Sequence, residues 1–413
     1  MRMNPVFGRR WPASVRGVSL VEVMIGLAVG LIASLVVMRS FTASDMFRRN
    51  IGGATDSVQT LAISAARLNA LFEQAGGSFA QGRNIWGCSL KAKRNGVTLL
   101  PASAYPAPFS AFPTAVRVLP VGILDGGSGS DILMVMAGSS PSANRGIPFT
   151  TSDGSTLLVS NPNGVAIAAS AGSSNDLLLS VPQDLAVAPG ECQVVQVASN
   201  YSSGQPVTDA SFGYKVMPAS AAVVAPASYS SIRLSSASSS YGVLPTTISS
   251  LSPSLFHLGA ESAPTFSLVS VNENAELVEY DLLQRRGAEP FGENVILIKA
   301  RYGVDDGVGG TPNDNVVDEW VSPTDSEWTL AKLTDGNTAT EQKIDQIKAI
   351  RIGVIVRTPQ VVVSNTRPTT LVLFADLPSA RQVSRTLSTE EQSYGYQVFD
   401  WVIPLRNMKA TPK

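Results

Sequence analysis

From Leu20 to Met38 the chain is an apolar run with one charge in it, Glu22. Its length is close to the roughly 20 residues an α-helix needs to cross the hydrocarbon core of a bilayer. The preceding segment, Met1 to Gly17, carries Arg2, Arg9, Arg10 and Arg16 and no acid. A cleaved secretory signal is the alternative, but its apolar region is usually about 7–15 residues with a small-residue cleavage site behind it. Here the run is longer and the glycine stands in front of it. Basic residues before a span favour a cytoplasmic leader, although Arg39, Arg48 and Arg49 on the far flank work against that orientation. An ionised carboxylate costs about 3 kcal/mol near the middle of a bilayer, so Glu22 calls for a compensating partner.

The segment Gly17-Val18-Ser19-Leu20-Val21-Glu22 resembles the prepilin processing motif shared by type IV pilins and type II secretion pseudopilins. The resemblance implies that a membrane-bound prepilin peptidase cuts between Gly17 and Val18 and methylates the new amine, leaving Glu22 at the fifth mature position. Val18 stands where the family usually has Phe. An N-terminal amine, with a reference pKa of about 7.7–8, is largely cationic at neutral pH and can neutralise Glu22 of a neighbouring subunit in an apolar filament core. The simpler alternative is an acid near the end of a plain anchor helix, reaching to the headgroups.

Beyond the apolar run, Leu61, Ala65, Leu68 and Phe72 share one helical face, so the helix is expected to continue to about residue 76. Gly52-Gly53 should loosen it, and Gly76-Gly77 should end it, since Gly favours the position just past a helix C-terminus. After that the texture changes to short β-type runs between Gly, Pro, Ser and Asn. Strands are expected at residues 131–137, 156–160, 164–170, 176–181, 192–198, 266–271 and 276–283. Near the C-terminus Ile350, Ile352, Val354 and Val356 alternate with Arg351, Gly353, Ile355 and Arg357, while Phe399, Trp401, Ile403 and Leu405 share one face of another strand. The periodicity shows an amphipathic helix followed by a β-rich, mainly antiparallel region, an α+β class; that the long N-terminal helix has a membrane-embedded first half and packs its second half on this head is what the pilin resemblance implies. The parts are a leader (1–17), the helix (18–76, transmembrane over about 20–38) and the head (77–413). The Ser/Ala/Pro-rich stretch 218–254 and the run 125–131 are expected to be flexible by composition.

Lys+Arg number 31 against 32 Asp+Glu, so the formal net charge is −1 and no global pull toward nucleic acid arises. His257 is the single histidine, which removes every site needing two. No G-x-S-x-G elbow, Walker A loop or H-E-x-x-H is present, and His257 reads as a lone surface or half-buried residue. Cys88 and Cys192 are the two cysteines. In an exported head they are expected to pair, closing a loop that stabilises the fold by roughly 4–5 kcal/mol on the chain-entropy model; two buried free thiols are the alternative.

The C-terminal third carries a second resemblance. Glu293-Asn294-Val295, Ala300-Arg301-Tyr302-Gly303-Val304-Asp305, Asp318-Glu319-Trp320, Ile347 to Ile352, Tyr394 to Phe399 and Val402 to Asn407 resemble, in order and spacing, minor pilins of the PilW kind. With the N-terminal helix, the likeness covers about residues 290–407. It implies a minor pilin that helps initiate or cap type IV pilus assembly in support of motility and adhesion. The implied partners are other minor pilins, the major pilin, prepilin peptidase, the inner-membrane assembly machinery and inner-membrane lipid. The implied location is the inner membrane with a periplasmic head, then the filament at the cell surface. A type II secretion pseudopilin, a pilus-tip adhesin and a membrane-anchored enzyme remain as alternatives; the C-terminal block speaks against the first. The family often has an acidic, Asp/Gly-rich turn here, which makes Asp305, Asp306, Asp314 and Asp318 candidate Ca²⁺ ligands, oxygen donors of the type that ion takes. A solvated Asn/Asp turn is the alternative reading.

Overall fold

The computed structural model describes residues 17, 19–82, 85–140, 146–151, 154–159, 176–181, 190–197, 230–235, 240–244, 253–361 and 368–409. The chain divides at Gly53 into two compact units, Met1–Gly53 and Ala54–Lys413. Helix α1 (Leu20–Phe72) is continuous through Gly52 and Gly53, contrary to the loosening expected there, and ends one turn before Gly76. Gly76, at φ +74°, turns the chain and donates its N–H to Met136 O at 2.8 Å. Beside it Gly77 admits no side chain, because a Cβ would lie 2.8 Å from Gly138 O.

Nineteen strands occur among the described residues. In chain order they are β1 (Ser89–Arg94), β2 (Val97–Leu100), β3 (Val121–Leu124), β4 (Ile132–Ala137), β5 (Ile147–Thr151), β6 (Thr156–Val159), β7 (Asp176–Val181), β8 (Glu191–Gln196), β9 (Ser230–Arg233) and β10 (Ser254–Ala260). They continue with β11 (Thr265–Val271), β12 (Leu277–Asp281), β13 (Glu289–Gly292), β14 (Val295–Val304), β15 (Glu319–Val321), β16 (Ile347–Val361), β17 (Thr370–Leu373), β18 (Val383–Thr386) and β19 (Tyr394–Pro404). An eight-stranded sheet runs β2-β1-β8-β7-β10-β5-β6-β9, a five-stranded one β13-β12-β11-β4-β3, a four-stranded one β15-β14-β16-β19, and β17-β18 form a hairpin. All pairs are antiparallel except β1 with β8. The strand expected at 164–170 lies outside the described residues. Part of the Ser/Ala/Pro-rich stretch 218–254 is built into the eight-stranded sheet as β9, and Ile232 and Tyr241 are wholly buried.

The main core joins the second half of α1 to all three large sheets. Leu61, Leu68, Leu71 and Phe72 pack into the same cluster as Ile350, Ile352, Val354, Val356, Ile403 and Leu405. The other face of β16 is buried too: Ile355, with Leu297, Leu371, Leu373, Phe374 and Leu387, forms a separate cluster under the β17-β18 hairpin. A strand covered on both faces reads as a near-continuous apolar run, which is why Ile355 breaks the alternation of β16. Buried charges tie α1 to the head. Glu279, on β12, accepts from Arg67 at 2.5 Å, from Arg286 at 2.9 Å and from Ser267 Oγ at 2.8 Å.

The Gly/Ser loop 125–131 is pinned rather than loose. Lys299 Nζ, on β14, donates to Asp131 Oδ1 at 2.6 Å, to Gly127 O at 2.9 Å and to Asp125 Oδ1 at 3.2 Å. Composition marks such a loop as flexible because it carries no apolar anchor; here a buried ammonium anchors it instead.

Candidate functional site

Three places bear on function, taken from the N-terminus onward. Ser19 opens α1 by accepting the N–H groups of Glu22 (2.9 Å) and Val23 (3.1 Å). Glu22 therefore sits in the first turn, where the positive end of the helix dipole favours a carboxylate. Gly17 and Glu22 are exposed, and Val18 lies outside the described residues. From Leu20 to Thr42 the helix is long and apolar enough to cross a membrane, and none of it is buried. Leu20, Leu27, Leu31 and Met38 are each about 70% exposed, so apolar side chains face outward all round. Such a surface is stable in lipid or against other apolar helices.

The acidic turn is organised by backbone donors. Asp305 is fully buried, and its carboxylate accepts the N–H groups of Asn313 (Oδ1, 2.5 Å) and Asn315 (Oδ2, 2.8 Å). Asp318 Oδ2 accepts from Gly307 at 2.6 Å, and Gly310 packs so close that a Cβ would fall on Asp318 Oδ1. Asp306 and Asp314 each accept the N–H two residues on, from Val308 (3.0 Å) and Val316 (2.8 Å), closing local turns. Asn313 and Asn315 adopt φ of +61° and +65°, the left-handed conformation that Asn tolerates. Nearby, burial with Asp306 alongside pushes the Glu319 carboxyl above its ordinary value. Of Asp305, Asp306, Asp314 and Asp318, the candidate Ca²⁺ ligands, the structure shows these backbone bonds; among the described residues no three Asp, Glu, His or Cys side chains are grouped to hold a metal ion. Two of the four carboxylates clamp the loop through its amides and two close their own turns, so they do not converge on one point.

The third place is the pair of cysteines. Cys88 and Cys192 are disulfide-bonded and wholly buried, with Cα atoms 5.8 Å apart. They lie at the single parallel pairing, where Leu90 is in register with Cys192. Residues 104 apart in sequence are thereby tied beside a pairing that otherwise depends on a few strand residues.

One buried arrangement was not legible in the sequence. His257 is 3% exposed, with Nδ1 2.8 Å from Ser140 Oγ and Nε2 2.5 Å from Asp176 Oδ2. The reading of His257 as a surface or half-buried residue is corrected. The three residue types are those of a hydrolase triad, but the serine is on the ring nitrogen that such triads give to the acid. Ser140 and Asp176 are themselves buried, so the group satisfies polar atoms inside the sheet. A lone His, Ser and Asp scattered over residues 140–257 leave no spacing pattern from which this contact could be read.

No curated protein and no solved structure matches the chain. A family model does, over residues 270–407: that of the type IV pilus-assembly protein W, PilW. The match starts earlier than the resemblance at 290 and takes in β12 to β19, with the acidic turn and the whole four-stranded sheet against which α1 packs. Over those residues, about a third of its length, the chain is PilW-like, and the family is one of type IV pilus assembly.

Proposed function

We propose that the chain is a minor pilin, cut between Gly17 and Val18 by prepilin peptidase, methylated at Val18, held in the inner membrane by Leu20–Thr42, and then incorporated into a type IV pilus. The observation that carries this reading is Glu22, a lone acid in the first turn of the exposed apolar stretch Leu20–Thr42, five residues beyond Gly17, in a chain whose C-terminal third matches a pilus-assembly family. In an apolar filament core the Glu22 carboxylate is matched by the terminal amine of a neighbouring subunit, which sets the axial register. The head then stands in the periplasm, where its disulfide is maintained, and contacts other minor pilins and the major pilin during initiation or capping.

The experiment compares wild type, Gly17→Ala and Glu22→Gln. Wild-type protein should begin at Val18, and Gly17→Ala should remain as precursor. Glu22→Gln should be processed and membrane-inserted but depleted from sheared pili. A mature N-terminus elsewhere, or undiminished Glu22→Gln in pili, would overturn the proposal. Capture of secretion-system components in place of other minor pilins would reassign the chain to the pseudopilins.

A further inference from the structure

Lys299 and Asp131 are 1% and 0% exposed, with Lys299 Nζ 2.6 Å from Asp131 Oδ1. Asp125 brings a second carboxylate, Oδ1, to 3.2 Å from the same nitrogen. Both Asp131 oxygens also accept a backbone N–H, Oδ1 from Gly126 and Oδ2 from Ala300, each at 3.0 Å. The backbones are held together as well: Asp131 N–H donates to Ile298 O at 2.9 Å, and Ile298 N–H to Ser130 Oγ at 3.2 Å. Asp131 stands at the entrance to β4 of the five-stranded sheet, while Lys299 lies within β14 of the four-stranded one. An amine and an acid, both buried, thus meet a second, partly exposed carboxylate between two sheets.

We propose that Lys299 and Asp131 condense to an intramolecular isopeptide bond, with Asp125 as the general base. This goes beyond the pilin reading and does not depend on it. Burial pushes the Asp131 carboxyl above its ordinary value. Transfer of a proton from Nζ to Asp131 Oδ1 along their hydrogen bond leaves a neutral amine beside a neutral acid. A desolvated lysine amine is a competent nucleophile. Nζ attacks Asp131 Cγ and passes a proton to Asp125. The Ala300 N–H holds Oδ2 as charge develops on it, in the manner of an oxyanion hole. Collapse expels Oδ1, which takes the proton from Asp125 and departs as water. One N–C bond forms, one C–O bond breaks, nothing is oxidised or reduced, and Asp125 is regenerated. Enforced contact favours the condensation, since well-oriented intramolecular partners reach effective concentrations of roughly 10⁵–10⁸ M.

The test is peptide mapping of the reduced, denatured full-length protein purified from membranes, with amine labelling before digestion. The expected result is one linked species joining the peptides that contain Asp131 and Lys299, lighter than their sum by one water, with Lys299 unlabelled. Separate peptides with Lys299 labelled would overturn the proposal and leave a buried ion pair. Lys299→Arg keeps the charge but cannot form the amide, so it should restore the missing water to the intact mass. Asp125→Asn should leave most chains unlinked; complete linkage in that variant would overturn the role of Asp125. Should either variant fail to fold, the wild-type map decides by itself.

Discussion

Phe374 is wholly buried at φ +58°, a backbone conformation a bulky side chain rarely adopts. Its ring lies against Gly353 of β16, where a Cβ would come within 2.9 Å of both the ring and Leu373. The guanidinium carbons of Arg301 and Arg351 lie 5.2 and 5.5 Å from the ring centre. The ring is wholly buried in this contact, and Gly353→Ala should destabilise the head by about 1–3 kcal/mol, read as a lowered melting temperature of the full chain in detergent. Arg351 also grips Asp376 through both oxygens, at 2.6 and 2.9 Å, and this contact holds the Asp376 carboxyl below its ordinary 3.8. A depressed folded-state pKa contributes stability above the unfolded value that is lost as pH falls through the folded one. The stability advantage of wild type over Asp376→Asn should accordingly be present at neutral pH and shrink below about pH 3.8. Asp376 is largely exposed, so the advantage should also weaken with added salt.

The acidic turn shows how an element can keep its composition while changing its chemistry. The Asp/Gly/Asn content of 305–318 is what a Ca²⁺ loop uses, and it is equally what a turn rich in left-handed residues uses. Two of its amides point into Asp305, as the turn reading requires. Asp305→Ala leaves these donors without their acceptor and should cost about 1–3 kcal/mol. Melting temperatures of the wild-type chain should be the same in EDTA and in millimolar Ca²⁺; a rise with Ca²⁺ that Mg²⁺ does not reproduce would restore the cation site. β16 and β19 were visible as alternation because one face packs on α1 and on the core, giving the period of two, whereas β14, buried along nearly its whole length, was not. The second, hairpin-covered face of β16 was less visible, since Gly353 and the arginines disguise an apolar layer supplied mostly by residues from elsewhere in the chain.

At the scale of the whole molecule, Ala54–Lys413 is a compact unit with its own core, to which the second half of α1 contributes Leu61, Leu68, Leu71 and Phe72. A chain begun at Ala54 should therefore be soluble and melt cooperatively without detergent. A chain begun after Phe72 should not, because it loses four side chains that are at least nine-tenths buried. Sedimentation and thermal melts of the two truncations check this directly.

What the sequence determined by itself was whatever depends on near neighbours along the chain: the apolar span, the acid five residues beyond Gly17, the amphipathic continuation of the helix, the strands β4, β6, β7, β8, β11, β12, β16 and β19 among the nineteen, and the PilW-like order of the C-terminal third. These are matters of period, length and spacing. Only the tertiary structure decided which of the remaining polar groups meet. Lys299 with Asp131 and Asp125, His257 with Ser140 and Asp176, and Glu279 with Arg67 join residues up to 212 positions apart. Each contact is set by the three-dimensional course of the sheets. The same physics that turned the amides of the acidic loop onto Asp305 placed these groups, since a buried polar atom must find a partner and packing alone determines which partner is within reach.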